Sequence, residues 1–317
     1  MDIREVILSE IRPDFFFRFS GDRNREGLIR SVRRSGILTP LPVLAGTDGY
    51  RMIGGFGRWE TARALNVKKI PVRLLDPEIP LWRHMLDEVA AHGSVRSFSL
   101  VEKARLLEIF EKLDLPESEF TEQLLTLIDL PDRPPLLSQV RAVLSLDDSV
   151  QAYIEKHHLS LRQAEMFRDI PENGQACLME AAGSMQIRGV ELASIIDMCR
   201  DVSGRDRVEW DDLISETTAD VNETSGMTSG QRRQHWKENL VRRASPYVSE
   251  QNEALNALRT QLKMPDGGRV KWDAGLEQPG IVIHMHAASP EHLHAFIGWL
   301  NDAGTRQCLG EMIDRIR

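Results

Sequence analysis

The chain of 317 residues is poor in cysteine and tyrosine, with three of each, and aromatic residues make up 6% of it. Cys177, Cys199 and Cys308 form no zinc or disulfide spacing, so we expect a reducing cytoplasm. No apolar run approaches a membrane span, and the N-terminus has no basic-then-apolar secretion signal. We therefore expect a cytoplasmic protein with no membrane partner, and we predict no metal site.

Charge is abundant but unevenly distributed. The formal net charge of −8 argues against a uniformly basic nucleic-acid-binding protein. Residues 1–75 nevertheless contain 14 Lys and Arg against 8 Asp and Glu, a balance of +6 that leaves −14 for the remainder. A basic N-terminal segment attracts phosphates, whether of a nucleotide or of DNA. The alternative is an ordinary arginine-rich surface.

Residues 50–65 combine a short predicted strand, three glycines within four positions and an amphipathic helix. A strand that ends on glycines before a helix leaves backbone N–H groups unpaired, and these groups together with the helix dipole favour an anion. Gly54, Gly55 and Gly57 let the backbone approach a phosphate, and Arg58 adds a bidentate contact. The alternative is a tight turn without a ligand, because glycine is common wherever a chain turns sharply.

Residues 53–62 (IGGFGRWETA) resemble the second sequence box of the ParB family of partition proteins. They also resemble a Gly-Gly segment of sulfiredoxin, which shares the fold. Residues 31–43 are similar to the first ParB box, a helix that ends in glycine before Leu-x-Pro and a strand. Residues 66–75 resemble the Val-Pro-Val strand that follows the second box. Three matches in order and at family spacing are more specific than any one of them.

The resemblance implies a small mixed-sheet domain that binds cytidine triphosphate (CTP) with Mg²⁺. The nucleotide-binding residues that it implies are Thr39, Gly54, Gly55, Gly57, Arg58 and Arg96. The third box departs from the family, because His92-Gly93 replaces Glu-Asn and offers Mg²⁺ no carboxylate or amide oxygen. CTP hydrolysis is therefore disfavoured, while nucleotide binding stays open. The ligand hypothesis fails if Phe56, which replaces a family glutamate, fills the hollow.

Residues 79–200 are predicted to be almost entirely helical, with a capping box at Ser99 and Glu102. In the ParB family a helix-turn-helix follows the third box; residues 115–125 resemble its first helix and residues 136–146 its recognition helix. The predicted DNA-contacting side chains are Ser138, Gln139, Arg141 and Arg162. The connection between the two helices is long and contains three prolines, so a plain helical bundle is the alternative.

The C-terminal part completes the predicted α+β fold. Residues 201–230 are acidic and rich in Ser, Thr and Gly, which predicts a linker. Residues 231–317 begin with a basic helix start and continue with a run of leucines spaced for a dimer seam. They end in a strand–strand–helix pattern, which suits a homodimer. The predicted domains are therefore residues 1–95 for the nucleotide boxes, 96–200 for DNA binding and 231–317 for dimerisation.

The predicted function is DNA binding in plasmid or chromosome partition, or in related regulation, with nucleotide binding favouring a closed dimer. The expected partners are DNA of the nucleoid, a second copy of the chain and a Walker-type partition ATPase. Two alternatives stay open: a ParB-fold enzyme, such as a nucleotide-dependent kinase or a nuclease, and an adaptor that binds neither ligand. An enzyme would need a carboxylate beside residues 55–58, for which Glu60 is the nearest candidate.

Overall fold

The computed structural model describes residues 2–21, 25–223 and 226–317. The chain divides into two compact units, Met1–Ala176 and Cys177–Arg317. A small mixed sheet, a long series of helices and a strand–strand–helix end confirm the predicted α+β class. Within the described residues, no helix is both long enough and apolar enough to cross a membrane.

The first unit opens with a five-stranded mixed sheet. Its strands are β1 (Asp2–Ile7), β2 (Ile11–Pro13), β3 (Leu41–Gly46), β4 (Gly49–Met52) and β5 (Lys69–Leu74). They lie in the order β1-β5-β3-β4-β2. The β1–β5 and β3–β4 pairs are antiparallel, whereas the β3–β5 and β2–β4 pairs are parallel. The β3 and β4 strands form a hairpin through a Gly-Thr-Asp-Gly turn, a composition typical of such connections.

Two helices accompany the sheet, α1 (Arg25–Ser35) and α2 (Phe56–Ala64), and they pack on each other. The α2 helix follows β4 after only three residues, so the glycine-rich turn is short. Trp59 and Ala62 of α2 are buried, as their helical spacing predicts. The turn into α2 is therefore held on a packed helix, and its backbone is fixed in place.

A run of helices follows. They are α3 (Leu81–Gly93), α4 (Leu100–Lys112), α5 (Glu117–Glu119), α6 (Pro134–Ala142), α7 (Asp148–His157), α8 (Leu161–Ala164) and α9 (Glu172–Met185). The predicted capping box is present at the start of α4: Glu102 N–H donates to Ser99 Oγ at 3.2 Å, and Ser99 N–H donates to Glu102 Oε2 at 2.8 Å. The apolar stripe of α4, formed by Leu106, Leu107 and Phe110, is fully buried, and α4 packs against α6 and α7.

The second unit continues with helices and closes with a two-stranded antiparallel sheet. Its elements are α10 (Gly189–Asp206), α11 (Trp210–Glu223), α12 (Ser229–Ala244), α13 (Pro246–Gln261), β6 (Gly268–Trp272), β7 (Ile281–Met285), α14 (Pro290–Asn301) and α15 (Ala303–Arg315). Leu255 of α13 and Leu262 directly after it lie in the core of this unit with Trp299 and Met312, and Leu258 packs against that core. The expected leucine seam between two chains is therefore wrong, because these leucines are used within one chain.

The linker predicted over residues 201–230 is corrected, because α10, α11 and α12 occupy most of it; residues 224 and 225 lie outside the described chain. The prediction rested on composition, whereas burial follows spacing: Leu213 and Val221 of α11 are fully buried. Trp236 of α12 is also fully buried, and its indole Nε1–H donates to Thr217 Oγ1 at 3.0 Å. A buried indole with a fixed partner requires that α11 be packed.

Thr217 and Thr218 provide a matched test of this packing, since each is 5% exposed and each hydroxyl donates to a backbone carbonyl within α11. Thr217 also accepts the bond from Trp236. We expect Thr217→Val to lower the free energy of unfolding by about 1–3 kcal/mol, because it leaves a buried N–H unpaired. Thr218→Val should lower it by less. Chemical denaturation measures both values, and equal effects would contradict the packing of α11 on Trp236.

Candidate functional site

The glycine-rich turn after β4 leads directly into α2. Gly55 precedes the helix with φ +80°, a left-handed conformation that favours glycine. The N–H of Trp59 donates to the carbonyl of Gly55 at 3.1 Å. The N–H groups of Phe56, Gly57 and Arg58 come before this bond and have no backbone acceptor among the described residues. These groups and the positive end of the helix dipole make the N-terminal end of α2 attractive to anions.

A hollow of about 240 Å³ lies at this end of α2. Its walls are formed by residues 17–21 after β2, by the turn of residues 54–58, by α3 and by Arg96 beyond it. Phe56 belongs to the wall but does not fill the hollow, because its ring stacks on Phe15 with centroids 5.8 Å apart. The condition under which the ligand hypothesis would fail is therefore not met.

A second hollow, of about 680 Å³, is bounded by the segment before β3, by β5 and by α3. The two hollows share four side chains, those of Arg58, Glu88, His92 and Arg96. All the residues predicted to contact a nucleotide line one hollow or both: Gly54, Gly55 and Gly57 the first, Thr39 the second, Arg58 and Arg96 both. The fold thus brings the three sequence boxes to one cleft.

Arg58 joins the first box to the second. Its Nη1 donates to the carbonyl oxygen of Thr39 at 2.6 Å and to that of Pro40 at 3.2 Å. Burial lowers the pKa of Arg58; the charge of Glu88 opposes this shift and that of Arg73 adds to it. Because a desolvated cation is costly, an anion placed near Arg58 would be stabilising.

Glu88 is the carboxylate of the cleft, and sequence reasoning missed it. The residue is 8% exposed, and its Oε1 accepts a hydrogen bond from Arg73 Nη2 at 2.5 Å. Burial raises the pKa of Glu88, while Arg73 and Arg58 lower it in part. A Cβ at Gly54 would lie 2.9 Å from Glu88 Oε2, so glycine makes room for this oxygen. The sequence signal that could have identified Glu88 is its spacing of four residues from His92, which places both residues on one face of α3.

The third-box residues have specific partners in the structure. The ring of His92 packs edge-on against Phe19 with centroids 5.2 Å apart. Burial, followed by Arg96 and Arg58, lowers the pKa of His92 below its ordinary value of 6.5, so the imidazole is uncharged at physiological pH. Arg96 donates from both terminal nitrogens to the fully buried Glu102, at 2.8 Å each. A phosphate that contacts Arg96 would therefore share its guanidinium with Glu102.

Glu60, the carboxylate that an enzyme was expected to use, is engaged elsewhere. Its Oε1 accepts from Arg18 Nη1 at 2.7 Å, and the residue lines neither hollow. Glu88 is therefore the carboxylate that lies beside the glycine turn.

Comparison with known proteins identifies the N-terminal segment, since residues 2–81 match the ParB N-terminal domain. This segment is a ParB N-terminal domain. The chain is also similar to two crystal structures of the C-terminally truncated chromosome-partitioning protein ParB from Caulobacter crescentus. The one complexed with CTP-gamma-S is 19% identical over 57% of this chain and 98% of that chain, with a TM-score of 0.27. The one complexed to the centromeric parS site is 16% identical over 61% and 98%, with a TM-score of 0.32.

Sulfiredoxin from Arabidopsis thaliana is 26% identical over 27% of this chain and 98% of its own, with a TM-score of 0.24. A comparison with curated proteins finds no match. Because these TM-scores are low, the assignment of the ParB domain rests on the sequence match over residues 2–81.

Downstream of the ParB domain, the side chains predicted to contact DNA lie on α6 and α8. Ser138 and Arg162 are exposed. Gln139 is half-buried and lines a hollow of about 180 Å³ with Arg168. Arg141 pairs with Glu111, with Nε and Oε2 3.3 Å apart. The structure thus places these four residues on two nearby helices, with Arg141 already opposite an acid.

The charge around these helices is acidic. Residues 97–176 contain 8 Lys and Arg against 15 Asp and Glu, a balance of −7. Such a balance weakens the attraction to DNA phosphates that supplies most non-specific affinity. A DNA interface here would have to be a local basic surface around Arg162 and Arg168.

Arginines from both halves of α12 form ion pairs inside the second unit. Arg233 pairs with Glu191, Arg242 with Glu253 and Arg243 with Asp206. These ion pairs hold the arginines against acids of the same unit, so α12 offers DNA less positive charge than its sequence suggests.

Proposed function

We propose that this chain is a ParB-like DNA-binding protein of the cytoplasm that acts in plasmid or chromosome partition or in related regulation. We propose further that its ParB domain binds CTP, the nucleotide that the resemblance to the family implies. The observation that carries the proposal is the meeting of the three sequence boxes around one cleft at the start of α2.

The chemistry of the cleft suits a nucleoside triphosphate. The N–H groups of Phe56, Gly57 and Arg58 are donors for phosphate oxygens, and the guanidinium of Arg58 supplies a desolvated positive charge. The second hollow, at about 680 Å³, lies within the usual size range of small-ligand sites and has room for the base and sugar. His92 is uncharged, so it can donate or accept a hydrogen bond there.

The phosphate role of Arg58 is tested by Arg58→Ala, with Arg63→Ala as the matched control. Arg63 lies on the same helix over the ring of Trp59, 5.6 Å from its centroid, and lines neither hollow. We expect Arg58→Ala to weaken CTP binding by about 10- to 100-fold, because it removes a charge-assisted contact. Isothermal titration calorimetry with Mg²⁺ measures the affinities, and thermal denaturation checks that both variants fold. Equal affinities would count against the phosphate site.

The DNA role is tested by Arg162→Ala, with Arg200→Ala as control because Arg200 lies on α10 and pairs with Asp197 at 2.8 Å. We expect Arg162→Ala to weaken DNA binding and to reduce the slope of log affinity against log salt by about 1, as loss of one phosphate contact requires. Fluorescence anisotropy over a salt series, with fragments of the host genome, gives both quantities. An unchanged slope would show that Arg162 does not contact a DNA phosphate.

A second function, that of an adaptor that binds no DNA, is favoured by the balance of −7 over residues 97–176. In the anisotropy series, wild-type protein that fails to bind any genomic fragment, even at low salt, would support the adaptor and overturn DNA binding.

We also propose that the protein acts as a homodimer through its C-terminal segment, with a Walker-type partition ATPase as a further partner. Val282 of β7 is 55% exposed. On α14, Ile297 is 48% exposed and Leu293 is 49% exposed. Among the described residues β7 pairs only with β6, so one strand edge is open. Exposed apolar side chains beside an open edge suit pairing with a second copy.

Ile297→Glu tests this interface, and Ile313→Glu on α15, which is also exposed, is the control. We expect sedimentation equilibrium to show twice the 36.0 kDa chain mass for wild type and control, and the single mass for Ile297→Glu. The physical reason is that a buried, unpaired carboxylate opposes association. A monomeric wild-type protein would refute the dimer, and a dimeric Ile297→Glu variant would exclude this face of α14.

A further inference from the structure

We infer that Glu88 supplies the carboxylate ligand of a divalent cation that binds together with the nucleotide phosphates. This inference rests on the proposed nucleotide site and deepens it. The third box, at His92-Gly93, has no oxygen ligand to offer in its side chains. Glu88 lies four residues earlier on α3 and, like His92, lines both hollows. Residues four apart share one helix face, so the carboxylate stays in the same cleft.

The environment of Glu88 leaves one oxygen for a ligand. Oε1 is held by Arg73. Oε2 receives no hydrogen bond from the described residues and lies against Gly54, at the beginning of the anion-attracting turn. A carboxylate that is 8% exposed is costly when it is charged and incompletely paired. A cation between Oε2 and the phosphates would compensate both negative groups.

A single carboxylate is sufficient for this role. Mg²⁺ is commonly bound by one or two carboxylates together with substrate phosphates and retained waters, and not by a cage of protein side chains. The described residues contain no group of three or more potential metal-binding side chains. A cation in this cleft would accordingly depend on the nucleotide for its remaining ligands.

The neighbouring carboxylates are unsuited to the role. Glu60 pairs with Arg18 and lines neither hollow. Glu102 is fully buried, binds both terminal nitrogens of Arg96 and caps α4. Asp87 is exposed and lines only the second hollow, away from the glycine turn. This leaves Glu88 as the carboxylate that lies at the anion-attracting end of α2.

The test is isothermal titration calorimetry of CTP with and without MgCl₂ on wild type, Glu88→Gln and the control Glu78→Gln, because Glu78 is exposed and lines neither hollow. Gln keeps an oxygen that can accept from Arg73 and removes the charge. We expect wild type and Glu78→Gln to bind CTP at least about 10-fold more tightly with Mg²⁺, and Glu88→Gln to gain less than about 3-fold. Metal-free CTP should bind Glu88→Gln at least as tightly as wild type, since a repulsive charge is gone.

The outcomes separate the two levels of the proposal. If wild type binds CTP and Glu88→Gln keeps the full Mg²⁺ gain, the role of Glu88 is overturned and the nucleotide site stands. If wild type binds CTP in neither condition, the proposed function fails and the role of Glu88 fails with it. Should Glu88→Gln not fold, Mn²⁺ replaces Mg²⁺ in the wild-type CTP complex and carboxylate ¹³C signals are recorded. Stronger broadening of the Glu88 signal than of the Asp87 signal supports Glu88 as the cation ligand, and equal broadening of the two signals overturns it.

Discussion

Pairing of buried charges is the constraint on which the cleft depends. Two ion pairs, Arg73–Glu88 and Arg96–Glu102, each bring two charges out of water. Removing one partner of a pair would leave the charge of the other partner uncompensated. Arg58 differs, because it donates to the carbonyls of the first box and forms no ion pair with the described residues. The first hollow, at the glycine-rich turn, therefore retains the positive charge of Arg58 after these paired acids are counted, and this is the electrostatic condition for binding an anion.

The same pairing connects the cleft with the helices that follow it. Glu102 accepts from Arg96 on one side and from the N–H of Ser99 on the other, so one buried carboxylate serves both the cleft wall and the first turn of α4. Ser99 Oγ in turn donates to Glu155 of α7 at 3.3 Å. The geometry of the cleft is consequently fixed by helical packing beyond the ParB domain.

Local features of the sequence were enough to predict much of this site. The glycine turn, the helix after it and the capping box at Ser99 depend on residues within a few positions of one another, and all of them are present. For Glu88, the spacing from His92 shows only that the two residues share one helix face, because its approach to Gly54 depends on tertiary packing. Nor does the sequence show that Arg96 is already bound by Glu102. The linker prediction was wrong because composition over residues 201–230 obscured the apolar spacing that α11 buries against α12.

The conflict between a ParB domain and an acidic helical region has a physical consequence for the proposed function. Fold similarity does not supply affinity, which for DNA comes mainly from neutralised phosphates. With a balance of −7 over residues 97–176, one copy of the segment from α6 to residue 168 offers few cations beyond Arg162 and Arg168. Two copies held together double these contacts, and the second contact forms at a high effective concentration. In the proposed function, DNA binding therefore depends on the dimer more strongly than it would in a chain with a basic helical region.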